Sequence, residues 1–297
     1  MKNMKLNCNS LYQKYLKYIF LVIAMGIINP SFGQSKHEVS VYLSGLFSKL
    51  DYAVGDEESD MNTGVTSGVG YLYNFKKKWG ISSGVALQYL EGGLSGITLN
   101  DNYNAIDSEG EEFEFRYTIT NYSEMQKLYF INVPIKLQFE TEGITRFYAS
   151  GGVKIGFLID SKYELSGRNL STSGYYSQYD VELKKPEFAG FGDFGVINKS
   201  GSDLDLKTNI VLSFESGAKF MLEYNKAFYI GAFIDYGLTN IKADKSDKNL
   251  LAYNSKNPTD FKNNSLLVSR NSQNAINYVE EIKTLAFGFK MRYAFQL

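Results

Sequence analysis

The sequence predicts an all-β chain that closes into a transmembrane, antiparallel up-and-down β-barrel of eight strands. Three observations predict it: eight segments with apolar residues at every second position, connections that alternate between short and long, and aromatics gathered beside the short connections. Successive side chains on a strand point to opposite faces, so each segment carries one apolar face and one small or polar face. Tyr (23), Phe (21) and Gly (27) are abundant and Pro (4) is scarce, which suits long strands better than a helical enzyme.

The N-terminus stands apart from this pattern. Lys2, Lys5, Lys14 and Lys17 make a basic region, 18–28 is apolar but too short to cross a bilayer as a helix, and Ser31 and Gly33 put small residues at −3 and −1 before Gln34. This is the pattern of a cleaved secretory signal peptide over 1–33, which leaves one barrel domain over 34–297. The single cysteine, Cys8, falls in the leader, so the rest of the chain has no thiol or disulfide chemistry to draw on. No later stretch reaches the roughly 18 consecutive apolar residues of a transmembrane helix, whereas a membrane strand needs only about 10 alternating ones.

The alternating segments follow in order. Val39, Val41, Leu43 and Phe47 oppose Ser40, Tyr42, Ser44 and Ser48; Val65, Val69, Tyr71, Tyr73 and Phe75 oppose Gly64, Thr66, Gly68, Gly70 and Asn74. Trp79, Ile81, Val85, Leu87 and Tyr89 oppose Gly80, Ser82, Gly84, Ala86 and Gln88. The fourth runs through Tyr129, Ile131, Val133, Ile135, Leu137 and Phe139, where Pro134 removes a ladder donor and predicts a bulge. The fifth carries Phe147, Val153, Ile155, Phe157 and Ile159, the sixth Ile210, Leu212, Phe214, Phe220 and Leu222. Phe228, Ile230, Ala232, Ile234, Tyr236 and Leu238 form the seventh, and Leu285, Phe287, Phe289, Met291, Tyr293, Phe295 and Leu297 the eighth.

Short links fall at Lys76-Lys77-Lys78, near Thr141-Glu142-Gly143 and near Asn225-Lys226; long ones fall at roughly 51–62, 94–124, 161–204 and 240–281. A bacterial outer-membrane barrel with both termini in the periplasm has this asymmetry, with short periplasmic turns and long outer loops, and a soluble sandwich has no reason for it. Phe75, Trp79, Phe139, Phe147, Tyr224, Phe228 and Phe295 would form the periplasmic aromatic girdle, and Phe47, Tyr89, Phe157 and Tyr236 would contribute to the opposite ring. Ten strands are the alternative count, with 175–184 in an extra hairpin. Phe113, Phe115, Tyr117 and Ile119 also alternate and could pair with 94–103 above the membrane.

An eight-stranded lumen is just wide enough for side chains to fill. Gly68, Gly84, Gly152 and Gly288 make room, and Lys136, Lys154, Glu215, Lys219, Asp235, Lys290 and Arg292 would meet inside. Buried charges need partners, and both signs are present, so these residues are expected to form one ion-pair network that plugs the lumen.

Catalytic and binding chemistry finds little support. A Ser-His relay needs a histidine beside the nucleophile, and the one histidine, His37, lies at the start of the first strand, away from the long loops. Asp56-Glu57-Glu58 with Asp60, and the acidic stretch 101–112, read as solvated loop charge; the EF-hand pattern fails because Ile106 stands where its turn glycine belongs. Gly190-Phe191-Gly192 precedes no helix, so it makes no phosphate loop. Phe188, Phe191 and Phe194 on a long loop either form a binding surface or tuck over the barrel mouth. The expectation is therefore no catalytic, metal or cofactor site. A net charge of -1 argues against nucleic acid as a partner. The expected partners are outer-membrane lipid, the barrel-assembly machinery during insertion, and a protein bound at the outer loops of a surface scaffold.

Three segments carry a family resemblance. Tyr129-Phe130-Ile131-Asn132-Val133-Pro134-Ile135-Lys136-Leu137, Tyr148-Ala149-Ser150-Gly151-Gly152-Val153-Lys154-Ile155-Gly156 and Asp235-Tyr236-Gly237-Leu238-Thr239-Asn240-Ile241 resemble strands of the PorT-like outer-membrane β-barrel family. The resemblance covers nearly all of the chain after the leader. It implies an outer-membrane barrel and, through the family's namesake, an accessory role in a protein secretion system. It implies no catalytic residues.

Overall fold

The computed structural model describes residues 36–202, 204–243 and 248–297; the leader expected at 1–33 lies outside them. Eight strands close into a ring: β1 (His37–Asp51), β2 (Asn62–Lys76), β3 (Trp79–Ile106), β4 (Glu112–Glu140), β5 (Thr145–Tyr176), β6 (Asn209–Leu222), β7 (Lys226–Gly237) and β8 (Lys283–Gln296). Each pairs antiparallel with the next, and β8 closes on β1 from Glu38↔Gln296 to Asp51↔Lys283. Closure leaves no open edge around the waist. No helix among the described residues is long and apolar enough to cross a membrane.

The two faces are inverted relative to a soluble protein. On β1, Val41, Leu43 and Phe47 are exposed while Ser40, Ser44 and Ser48 are buried, and the same holds around the ring. In water that waist would be one continuous apolar patch; in lipid it matches its solvent, and the backbone polar groups are satisfied between strands. Rings mark both ends of the apolar band. Phe47 meets Phe287 (5.6 Å between centroids) and Tyr89 meets Tyr129 (5.0 Å) at the loop end. Just beyond them the outward positions turn charged: Lys127 pairs with Glu164 at 2.6 Å and Lys49 with Glu58 at 3.2 Å.

Depth in this band decides what a buried charge costs. Val69 on β2 lies between the loop-end position Val65, opposite Tyr89, and the turn-end pair Tyr71 and Tyr73. Val69→Lys is expected to destabilise the barrel by about 2–4 kcal/mol, the midplane cost. Leu212 is opposite Tyr236, in the loop-end ring, so Leu212→Lys is expected to cost only about 0–1 kcal/mol. Urea midpoints of the two variants in lipid vesicles check this; equal shifts would contradict the placement.

Pro134 does not bulge its strand, contrary to expectation. It pairs in register with Lys154 of β5, and only the β3 ladder skips it, passing from Ser83↔Ile135 to Ala86↔Asn132 without a register change. The missing N–H is thus absorbed by two unpaired positions. The irregularity lies nearby instead, between Tyr129 and Phe130, where β5 carries an extra residue.

Much of what the sequence suggested as loop is strand. β3, β4 and β5 run for 28, 29 and 32 residues, against 12 to 15 for the other five. Their upper parts form a tower on one side of the barrel mouth, widened by the strand Gly192–Ser202, which pairs with β5, and by Val181–Leu183. The 175–184 hairpin is therefore real but stands on the tower, outside the ring of eight. Phase changes separate tower from barrel. On β4 the buried positions are odd from Phe113 to Ile119 and even from Tyr122 onward, and Asn121 between them is left-handed (φ 52). Gly96 (φ 81) does the same on β3, directly across the pair. The bulges keep apolar residues outside where there is lipid and inside where there is water.

Candidate functional site

The lumen is filled in layers. Glu215 on β6 is the centre: Lys290 Nζ lies 2.9 Å away, Lys136 Nζ 3.3 Å and Arg292 3.4 Å, and the Tyr148 hydroxyl donates at 3.0 Å. Towards the turn end, Lys219 bridges Glu38 (2.9 Å) and Glu140 (3.0 Å), and Tyr229 donates to Glu38 at 2.6 Å. Towards the loop end, Lys154 pairs with Asp235, which also accepts from Ser213 at 2.6 Å. Arg292 stands over the Tyr229 ring (4.0 Å) and Lys290 over Tyr42 (4.0 Å), so π-faces share the desolvated charge. Gly68 is needed here: a Cβ would come within 2.7 Å of the Tyr42 ring. A void of about 40 Å³ remains, room for at most a few waters.

All seven residues expected in the lumen point into it, but they divide into three groups. Gln138 joins the first two, accepting from Arg292 at 3.3 Å and donating to Glu140 at 2.6 Å. Among the described residues, no hydrogen bond or ion pair joins Lys154 or Asp235 to the Glu215 group. Two members were missed. Glu140 shares the inward phase of Lys136 and Gln138 but, as the last residue of its strand, was not counted in the network; Glu38 sits one position before the first alternating residue, yet shares the even phase of Ser40.

Phe75, Trp79, Phe139, Phe147, Tyr224, Phe228 and Phe295 all lie on the outer face at the turn end, with Trp79 edge-on to Phe139 at 5.2 Å. His37 joins this belt, its ring tilted against Tyr73 at 5.3 Å and bonding the Tyr71 hydroxyl at 2.5 Å.

The tower has its own core. Phe115 is fully buried among Phe113, Tyr117, Tyr253 and Phe261, and the described residues of 240–282 supply the opposite wall through Leu250, Leu251, Leu266, Leu267 and Val279. Buried carboxylates fasten that segment. Glu124 accepts from the amide of Leu266 (2.9 Å), Gln126 (2.8 Å), Tyr122 (2.5 Å) and the Ser265 hydroxyl, and burial pushes its carboxyl up despite these donors. Asp101 accepts from the amides of Ser272 (2.9 Å) and Gln273 (3.1 Å). Of the three loop phenylalanines, Phe191 is buried against Phe113, Phe194 packs edge-on to Phe261 at 5.0 Å, and Phe188 is 77% exposed. Asp101, read above as solvated, is 4% exposed. Among the described residues no cluster of His, Cys, Asp or Glu could hold a metal ion.

At the tower tip, Asp107 closes the β3–β4 hairpin. Partial burial pushes its carboxyl up, but the amides of Glu111 and Glu109 (2.9 Å each) and the Tyr176 hydroxyl (2.9 Å) outweigh this and hold it below the ordinary value. A depressed folded pKa contributes stability that is present above the unfolded pKa and lost as pH falls through the folded one. The tip is therefore expected to become more protease-sensitive than it is at neutral pH as the pH falls below the usual aspartate range, near pH 4. Limited proteolysis across pH checks this, with Asp107→Asn cut readily at every pH.

Residues 32–243 match the family described as outer membrane protein beta-barrel domain. The chain belongs to that family. It is a β-barrel protein of the bacterial outer membrane, in contact with its lipid. Among solved structures it is similar to OprG of Pseudomonas aeruginosa (11% identity, TM-score 0.39, covering 89% of this chain and 99% of that one). It is also similar to Neisserial surface protein A (10%, 0.32, 89% and 99%) and to Ail of Yersinia pestis in complex with a heparin analogue (13%, 0.31, 88% and 99%). No curated protein matches the chain. The matched region stops short of β8, the strand that closes the ring.

Proposed function

We propose that this barrel is a non-enzymatic surface scaffold: its lumen is plugged by ion pairs, and it binds a protein partner through the tower. The observation that carries this reading is the tower's own buried core, which gives the loop end a rigid, preorganised face instead of mobile loops. Short turns and both termini then face the periplasm, after removal of 1–33 and insertion by the barrel-assembly machinery. The belt of paired charges beyond the loop-end aromatics supports that orientation, since it suits the headgroup layer. No catalytic group, metal or cofactor enters this reading.

Protease added to whole cells is expected to cut at 107–111 first; cutting only at Lys76-Lys77-Lys78 would invert the orientation. The partner is sought by cross-linking intact outer membranes and comparing the protein with a variant in which 107–111 is replaced by Gly-Ser. A cross-linked partner lost in that variant supports the scaffold. Capture of secretion components at the turn end would instead favour the accessory export role, which rests on the PorT-like pattern around Pro134.

A further inference from the structure

The charges inside the barrel do not balance. The buried cationic side chains of the lumen are Lys136, Lys154, Lys219, Lys290 and Arg292. Against these five stand four carboxylates among the described residues: Glu38, Glu140, Glu215 and Asp235. The surplus is concentrated at the central level. There Lys136, Lys290 and Arg292 share the single carboxylate of Glu215, and Lys154 has Asp235. Towards the turn end the charges balance, because Glu38 and Glu140 face Lys219 and, at the rim, Arg146, which lies 3.5 Å from Glu140.

Lys136, Lys154, Lys290 and Arg292 all line the void of about 40 Å³, together with the hydroxyls of Ser40, Tyr42, Ser44 and Thr66. A second observation points the same way: Nε of Arg292, fully buried, has no hydrogen-bond acceptor. An uncompensated charge in such a place costs several kcal/mol unless an opposite charge accompanies it.

We infer that the lumen holds one small monovalent anion of halide size, bound between Lys136, Lys154, Lys290 and Arg292. One negative charge halves the surplus of two that Lys136, Lys154, Lys290 and Arg292 hold over Glu215 and Asp235. The void has the size for a bare halide but not for a polyatomic carboxylate such as gluconate. The hydroxyls add donors, and the apolar barrel wall keeps the site out of bulk water. The anion is a structural ligand; it completes the plug and needs no path through the barrel.

The test compares the protein refolded in sodium chloride with the same protein in sodium gluconate at equal ionic strength. The urea midpoint is expected to be higher in chloride and, once the site is saturated, to rise by a constant increment per tenfold increase in chloride, as ligand linkage requires. In Lys290→Gln, which removes one of the four cations around the void, the difference between the two salts should be much smaller. Crystals grown in bromide are expected to show one anomalous peak in the void, and this measurement on the unsubstituted protein stands even if the variant fails to refold. Equal midpoints in the two salts, with no bromide in the lumen, would overturn the proposal and leave one lumen lysine uncharged.

Discussion

Glu215→Ala is expected to lower the unfolding midpoint more than any other single lumen substitution. Its side chain is 2% exposed and receives three cations and a tyrosine hydroxyl. Removing it strands Lys136, Lys290 and Arg292 in a space they cannot leave, because the wall is a closed sheet. Breaking a buried pair from one side costs about 3–5 kcal/mol, and less where lumen water reaches the stranded charges. Glu182→Ala is the control. Glu182 lies on the tower, held by Ser173 at 2.9 Å and Arg116 at 3.4 Å, with its side chain one-third exposed, so its loss should cost at most about 1 kcal/mol. Urea titrations in detergent compare the two, and planar-bilayer recordings ask whether the Glu215 variant conducts. Unchanged stability together with a new conductance would make the lumen a gated pore and displace the scaffold reading.

Phe115→Ala is expected to release segment 240–282 from the tower while leaving the barrel intact. Phe115 has no exposed surface and touches rings from both the tower sheet and the covering segment. Phe→Ala in a packed core costs about 3–5 kcal/mol. That exceeds what local structure resting on short strands and two carboxylate clasps can absorb. Hydrogen exchange should therefore rise across 248–282 with no change in 285–295, the β8 ladder. If both regions lost protection together, tower and barrel would be one cooperative unit.

The barrel strands were legible because lipid demands a strict alternation and leaves no other reading for Val69 beside Gly68 or Phe289 beside Gly288. The tower was half legible. Phe113, Phe115, Tyr117 and Ile119 have the same odd phase as Tyr129, Ile131 and Ile135, so the alternation gives no hint that the first set is buried and the second faces lipid. Asn121 makes the switch, and one left-handed residue carries no periodic signal. The fastening of 240–282 was invisible for a different reason. Asp101 read as solvated charge and Glu124 fell within a long link, since nothing local shows that backbone amides from about 140 to 170 residues away will meet them. In the lumen, parity alone identified the charged residues, but their grouping depends on stagger between strands. Stagger put Lys154 next to Asp235, away from Glu215.

The position of the covering segment along the chain constrains the order of assembly. The described residues that roof the tower, among them Ile241, Leu250, Leu266, Val279 and Ile282, come after β7 and before β8. A chain built up to β7 therefore has two defects at once: an open seam where β1 waits for β8, and a bare aromatic wall on β3 to β5. Both are templates for misassociation. One final stretch of sequence cures both, so a nascent barrel cannot close its seam without also bringing in its roof. Truncation before β8 should accordingly yield a chain that quality-control proteases clear, not a barrel with a loose tower.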